Sequence, residues 1–338
     1  MNATMSPDVK HYPVMLNQLL SILTPQHGGT FIDCTFGGGG YSSAILSYPK
    51  TKVIAIDRDK NVSSLAEKIK KKFPKRFKFI NDKFSSLDQI KDLKIKPKAI
   101  IFDLGFSTHQ IKDHKRGFSF DSSGPLDMRM GKNAISAFDV VNNFTEESLA
   151  LIFKKLGEEK DSKRIAKEIV FKRKNNQIIY ANDLAKIISR VKKNYFYSKT
   201  NPATKVFQAL RMFVNQEVTE LITGLVSATK LLEKNGKIIV VSFHSIEDRI
   251  IKKYFQTYSN LNSNPSRYVP SEKKNNSKTL FFLKSNSALI PSKDEIIKNR
   301  ASRSAKMRFA VRNENNFFYP DLFADYFRDY LTLEGLRL

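Results

Sequence analysis

Tryptophan is absent and cysteine occurs once, at position 34. A single thiol cannot close an internal disulfide, and a Cys-rich zinc site is excluded with it. No apolar run approaches the roughly eighteen residues of a membrane-spanning helix. The stretch MNATMSPDVKHYPVML has neither a signal-peptide core nor Arg-rich transit character, so a cytoplasmic protein with no membrane partner is expected. A GxxxxGK(S/T) block is missing too, which excludes a P-loop nucleotide site. Acidic residues are few: Asp+Glu is 33 against Lys+Arg 58, a net charge of +25. A solvated Lys-rich surface from a biased genome gives such an excess, and so does a polyanionic partner, with nucleic acid the favoured reading. No basic amphipathic helix points to a membrane surface instead. At 338 residues and 41% hydrophobic, the chain suffices for one large domain or two.

The first third alternates strand and helix signals. TFIDCTF, KVIAIDRD, RFKFINDKF and PKAIIFDLGFS read as short strands. YSSAILSY and NVSSLAEKIKKKF read as helices, the second with Val62, Leu65, Ile69 and Phe73 at helical spacing. This rhythm predicts a parallel sheet with helices on both faces. The next convincing strand, GKIIVVSFHS, lies 135 residues beyond Asp103, at about Ile238, where a strand–helix–strand step takes about 30. The gap reads as helical in SLALIFKKLG, DSKRIAKEIVFKRK and ANDLAKIISRVKKNY. It is basic, with Lys154, Lys155, Lys172, Arg173, Lys174, Lys192 and Lys193. The expected organisation is a discontinuous α/β domain over 1–111 and 205–338, with a helical domain inserted at 112–204. One long amphipathic helix, with Phe207, Leu210, Val214, Val218, Leu221 and Leu225 on one face, returns the chain to the sheet. After a polar loop come a strand, TLFFLKS, a basic segment, NRASRSAKMRFAVR, and an aromatic stretch, FFYPDLFADYFRDYLTL, that reads as a terminal helix packing on the body.

FIDCTFGGGGYSSAIL places four glycines, Gly37 to Gly40, between the first strand and the first helix. Such turns let a ligand touch the backbone. The dinucleotide fingerprint needs a further glycine where Ser42 and Ser43 stand. Asp57 follows 17 residues after Gly40 at the end of the second strand, where an acid binds ribose hydroxyls in nicotinamide and S-adenosylmethionine enzymes alike. Asp59 reads as a helix N-cap. FDLGFS sets Asp103, Gly105 and Ser107 at the carboxyl end of the fourth strand. No Tyr–Lys or His–Asp hydride-handling pair is evident, which favours S-adenosylmethionine over a nicotinamide.

The blocks HYPVML, DCTFGGGGYS, AIDRD, DLGFS, RGFSF...GPLDMRM, NPATKVFQALRMFVNQE, VSFHSIEDRIIK and NRASRSAKMR occur in this order. Together they resemble the bacterial RsmH family (also called MraW), from about His11 to Arg312. The resemblance implies a Rossmann-like class I S-adenosylmethionine-dependent methyltransferase with an inserted all-helical domain. It implies methylation of the N4 amine of a decoding-centre cytidine in 16S ribosomal RNA, within the small ribosomal subunit. The cofactor contacts of the family fall on Gly39, Gly40, Tyr41, Asp57, Phe84, Asp103 and Gln110. Tyr41 stands where the family has His, His109 where it has Pro, and Asn201 and Lys205 where it has His and Arg. The aromatic stretch after Arg312 lies outside the pattern.

Carbon-5 methylation of cytosine needs a cysteine nucleophile, and Cys34 reads as a small buried residue beneath the glycine turn. An exocyclic amine instead attacks the sulfonium methyl directly, once acceptors hold its hydrogens. Asp103, with Ser107, is the candidate acceptor, and Asp103 is equally a candidate cofactor contact. His244 is a candidate for base contact or proton acceptance. Ser245 and Asp248 have capping-box spacing. Phe106, Phe118, Phe120 and Phe243 are candidates to stack on an extruded base. Arg116, Arg129, Lys205, Arg211, Arg303, Lys306 and Arg308 are candidates for phosphate contact, with an Asp127–Arg129 ion pair as the competing role. No metal-ligand set is expected. A non-catalytic RNA-binding or assembly factor and a nicotinamide-linked reductase stay open, as does oligomeric state, a homodimer included.

Overall fold

A computed structural model describes residues 13–90, 96–105, 113–192, 201–259 and 279–337. The chain forms two compact units, Met1–Gly105 with Leu221–Phe323, and Phe106–Glu220 with Ala324–Leu338.

The first unit is built on seven strands: β1 (Gly29–Asp33), β2 (Thr51–Ile56), β3 (Phe77–Ile80), β4 (Ala99–Asp103), β5 (Lys237–Ser242), β6 (Phe281–Phe282) and β7 (Lys306–Arg312). Their order is β3-β2-β1-β4-β5-β7-β6. The first five are parallel; β7 runs antiparallel to β5 and β6. The runs AIIF and IIVVS are buried throughout, as strands covered on both faces must be. One face packs Phe31, Ile101, Ile239 and Met307 against Leu19 of helix Leu16–Leu23, Ile45 of helix Gly40–Leu46 and Ile69 of helix Ser63–Lys72. On the other, the Phe102 ring meets Phe84 edge-on at 5.3 Å between centroids. There Tyr254, on helix Ser245–Thr257, shares a hydrogen bond with Thr229 on helix Glu217–Leu231, at 2.8 Å.

The register fixes where chemistry collects. Asp33 pairs with Ala55 and Ile101, and Asp103 pairs with Val241. The carboxyl ends of β1, β2, β4 and β5 therefore share one edge of the sheet. Chain order reverses between β1 and β4, and ligands of open α/β sheets bind at that switch point.

The second unit is helical: Ala137–Asn143, Glu146–Gly157, Ser162–Arg173, Ala181–Val191, Thr204–Asn215 and the short Arg328–Glu334. Ser136 and Asp139 form a reciprocal capping box on the first of these, and the Thr145 hydroxyl caps the second. Several basic residues read as surface charge are bound internally. Lys192 is buried, its Nζ 2.7 Å from Glu159 Oε2. Arg173 donates to the carbonyls of Val141 and Phe144, and Lys155 pairs with Asp329 at 2.9 Å. Lys193 lies outside the described residues.

Three features differ from the sequence reading. The single long helix is two, Thr204–Asn215 and Glu217–Leu231, parted at Gln216, whose φ of 52° breaks helical geometry. The basic segment contains strand β7; alternating charged residues hid it. The second unit runs past 112–204 at both ends and takes in the residues from Ala324 on. Its reason is visible at Glu334, whose buried carboxylate accepts the N–H groups of Val218 (3.0 Å) and Thr219 (2.8 Å) and the Thr219 hydroxyl (2.7 Å). Those amides are orphans of a helix first turn. The aromatic stretch is two short helices, and Phe323 on the first, Asp321–Asp325, is buried against Tyr254 at 4.6 Å.

Candidate active site at the strand ends

The glycine turn leaves β1 after Asp33. Gly37 (φ 47°) and Gly39 (φ 70°) are left-handed, a conformation that costs other residues about 1–2 kcal/mol. The Gly37 N–H donates to Asp57 Oδ2 at 2.8 Å, and the Asp59 N–H to Asp57 Oδ1 at 2.8 Å. Asp59 itself caps the 3-10 turn Lys60–Val62, as its position predicts. A Cβ on Gly39 would lie 2.6 Å from Ile69 Cδ1, and one on Gly40 only 2.4 Å from Pro13 Cγ. A Cβ on Gly38 would meet nothing within 4 Å. Glycine at 39 and 40 is thus demanded by the protein's own packing, whereas Gly38 faces open space. Tyr41 is turned away: its ring is buried and its hydroxyl donates to the Val14 carbonyl. Only the backbone of Tyr41 is on offer to a ligand.

Beside the turn stand three carboxyls that burial pushes up. Asp33, 1% exposed, accepts the Ser42 hydroxyl at 2.7 Å and the Thr35 N–H at 3.3 Å. Desolvation outweighs these bonds and raises it to about 6. Asp103 is raised to about 8 by burial, then by the charges of Asp33 and Glu247. Its N–H donates to the Thr35 hydroxyl at 2.6 Å, so Thr35 ties both strand ends together. Its Oδ1 is buried with no hydrogen-bond partner among the described residues. Asp57 is raised by burial against its two backbone hydrogen bonds. Asp33 and Glu247 escaped the sequence reading. The signal for Asp33 was a lone acid closing an apolar strand nine residues before a serine.

Phe84 opens the 3-10 turn Phe84–Gln89, half-buried, its ring pressed on Gly224 and edge-on to Phe102. His244 is the N-cap of helix Ser245–Thr257: its Nδ1 accepts the Glu247 N–H at 3.4 Å, and its Nε2 lies 3.1 Å from Glu247 Oε1. Glu247 Oε2 accepts the Phe243 N–H at 2.9 Å. The cap therefore sits one residue before the expected Ser245–Asp248 pair. Asp248 instead binds Arg308 at 2.6 Å and Lys306 at 3.0 Å. Burial pushes that carboxyl up, but the two cations outweigh it and hold it below the usual range. Arg303 is exposed, with no partner among the described residues. Cys34 is buried, as expected. Phe243 packs against the core. Phe106, Ser107 and Gln110 lie outside the described residues.

In the second unit, Arg116 donates to the Arg129 carbonyl at 2.7 Å and covers the Phe118 ring. Arg129 pairs with Asp127. Phe120 meets Phe207 edge-on. Asn215 clasps this loop: its Oδ1 accepts the Met130 N–H (2.8 Å) and its Nδ2 donates to the Met128 carbonyl (2.8 Å). Lys205 donates to the Glu158 carbonyl at 2.9 Å, at the end of a helix. Arg211 corrects the phosphate expectation: it is 7% exposed and binds Glu217 bidentately at 2.8 and 2.9 Å.

The strand order and the acids around a glycine turn at the switch point define a Rossmann-like α/β methyltransferase. The MraW methylase family matches residues 8–313, and the chain belongs to that family. Among curated relatives, it is 42% identical over 301 residues to the ribosomal RNA small subunit methyltransferase H of Rickettsia massiliae, covering 89% of this chain and 97% of that one. The namesake of Ehrlichia canis is 42% identical over 306 residues, covering 89% and 99%. Among solved structures, an rRNA methylase from Streptococcus thermophilus overlies with a TM-score of 0.35 at 9% identity, covering 88% and 96%; no residue assignment rests on it. The cofactor of this family is S-adenosylmethionine. The residues present fit it: crowded carboxyls and an orphaned Asp103 oxygen favour a cation, and disfavour the pyrophosphate of a nicotinamide dinucleotide.

Proposed function

We propose that this chain methylates the N4 amine of a decoding-centre cytidine of 16S ribosomal RNA in the small ribosomal subunit. Two of its curated relatives carry the small-subunit RNA in their names, and the net charge of +25 suits a polyanionic substrate. The observation that carries the chemistry is Asp103: a buried, unpartnered carboxylate oxygen at the β1/β4 switch point, beside a turn open at Gly38.

Bound S-adenosylmethionine supplies an electrophilic methyl group on a cationic sulfur. Asp57 would hold the ribose hydroxyls, the backbone at Gly39, Gly40 and Tyr41 would border the methionine portion, Phe84 would lie near the adenine, and Gln110 is a further proposed contact. Asp103, raised to about 8 in the empty site, would be ionised beside the donor's positive charge, accept an N4–H and turn the nitrogen lone pair toward the methyl. The proton that the methylated amine must lose would pass to Asp103. A carboxyl whose proton affinity burial has raised suits that task. Ser107 is the second acceptor. His244 acts by position, fixing Glu247 and the start of its helix. Arg303 and Lys306 on one unit, and Arg116, Arg129 and Lys205 on the other, are the proposed phosphate contacts, whereas Arg211 and Arg308 are held by Glu217 and Asp248.

The test is transfer of labelled methyl from S-adenosylmethionine to unmodified small subunits, with nucleoside mass spectrometry of the product and Asp103→Ala alongside. N4-methylcytidine, lost in the variant, is expected. Donor binding without any methylated nucleoside would favour the assembly-factor reading.

A further inference from the structure

An open groove with a cavity volume of about 110 Å³ lies in the first unit between helix Ser245–Thr257 and the chain before strand β7. Phe255 and Leu283, both buried, and the half-buried Phe309 form an apolar floor, and Leu289 an exposed lip. Lys252 and Lys284 stand exposed on its wall. No acidic side chain lines it, and neither lysine has an ion-pair partner among the described residues. The third cation, Arg308, is committed to Asp248 and to the Asn286 carbonyl at 2.6 Å. That bond fixes the wall at Asn286, whose side-chain Oδ1 is buried with no hydrogen-bond partner.

These features have a common chemistry. An apolar floor takes the face of a base, a buried acceptor takes a ring or amino N–H, and two unpaired ammonium groups at the mouth take phosphates. We infer that this groove binds an unpaired nucleotide of single-stranded RNA, away from the methyl-transfer site. The inference rests on the RNA-directed reading above and extends it: the first unit holds the substrate strand at a second point. Binding of RNA here involves base and phosphate together, so it combines a salt-dependent contribution with a salt-independent one.

The full chain is titrated into a short fluorescein-labelled single-stranded RNA of mixed sequence, followed by anisotropy across a range of salt. Lys252→Glu with Lys284→Glu is expected to weaken binding about tenfold or more. It should flatten the log K against log salt slope by about 1.4, two phosphates at roughly 0.7 each. Asn286→Ala should weaken binding about threefold with the slope unchanged. Both lysines are exposed, so melting temperatures should match wild type. Unchanged affinity and slope in the double variant would overturn the inference. So would weaker binding to small subunits with unchanged binding to free RNA, which would assign the groove to a ribosomal protein. Wild-type chain that binds RNA through the groove but forms no N4-methylcytidine would sink the proposed reaction alone. Normal methylation with an indifferent groove would sink this inference alone.

Discussion

Asp57 holds the Gly37 N–H at 2.8 Å, so the acid that closes β2 also sets the shape of the turn after β1. On its proposed role at the ribose, this one carboxylate would couple cofactor recognition to loop geometry. The four glycines then separate experimentally. Gly38→Ala should fold with the stability of wild type, because its Cβ meets nothing, yet bind S-adenosylmethionine at least about tenfold more weakly. Gly40→Ala should lower the melting temperature through its collision with Pro13, donor present or not. Calorimetric titration with the donor and thermal unfolding distinguish the two; equal donor affinity in Gly38→Ala and wild type would refute a ligand at that position.

Asp103→Asn keeps the shape and removes the proposed base. Turnover should fall by at least about a hundredfold, within the range general-base removal spans. Donor affinity should fall less, because Asp57 and the turn remain. Single-turnover methylation of small subunits, beside equilibrium donor binding, measures the split.

The same residue makes stability depend on pH. Asp103 holds its proton to about 8 and Asp33 to about 6 in the folded chain, against 3.8 for an ordinary aspartate. Between about pH 4 and 8 the folded state therefore binds more protons than the unfolded one, and these groups lower stability as pH rises through that window. Each contributes a slope of at most about 1.4 kcal/mol per pH unit. Urea midpoints of wild type and Asp103→Asn should coincide near pH 4 and diverge toward pH 8, with the variant the more stable. Adding S-adenosylmethionine, a cation, should shrink the difference. Parallel curves for the two proteins would contradict the burial of Asp103.

Glu334→Ala removes the acceptor of two helix-start amides and should cost about 1–3 kcal/mol. Burial raises Glu334 to about 7, from 4.5. Its own contribution should therefore weaken as pH rises from about 4.5 through 7. Far-UV melting, and limited proteolysis around Gln216, report both effects.

Strand positions were legible because Ile, Val and Phe cluster where both sheet faces are covered, as in β4 and β5. Strand β7 was not, since its alternating Lys306, Arg308 and Arg312 mimic a nucleic-acid patch; pairing with β5 is a long-range choice no local pattern encodes. The break at Gln216 was invisible for the same reason. Apolar spacing runs unbroken from Phe207 to Leu225, and only Glu334, far along the chain, rewards the kink. At the site, Asp57 and Asp103 declared themselves as acids ending apolar strands. Asp33 did so equally and was passed over. Arg211 looked like any surface arginine until Glu217, six residues on, took both its nitrogens. The glycine run was legible as a turn, but which glycine faces ligand and which faces Pro13 depends on packing alone.

The Glu334 cap also bears on how the chain is made. Thr219 leaves the ribosome 115 residues before its partner does. At roughly 5–20 residues per second, the start of helix Glu217–Leu231 waits on the order of ten seconds with its amides bonded only to water. Throughout that interval the nascent chain carries a finished β4 and an unfinished second unit. A ribosome that stalls before Glu334 leaves helix Glu217–Leu231 without the carboxylate that caps its first turn.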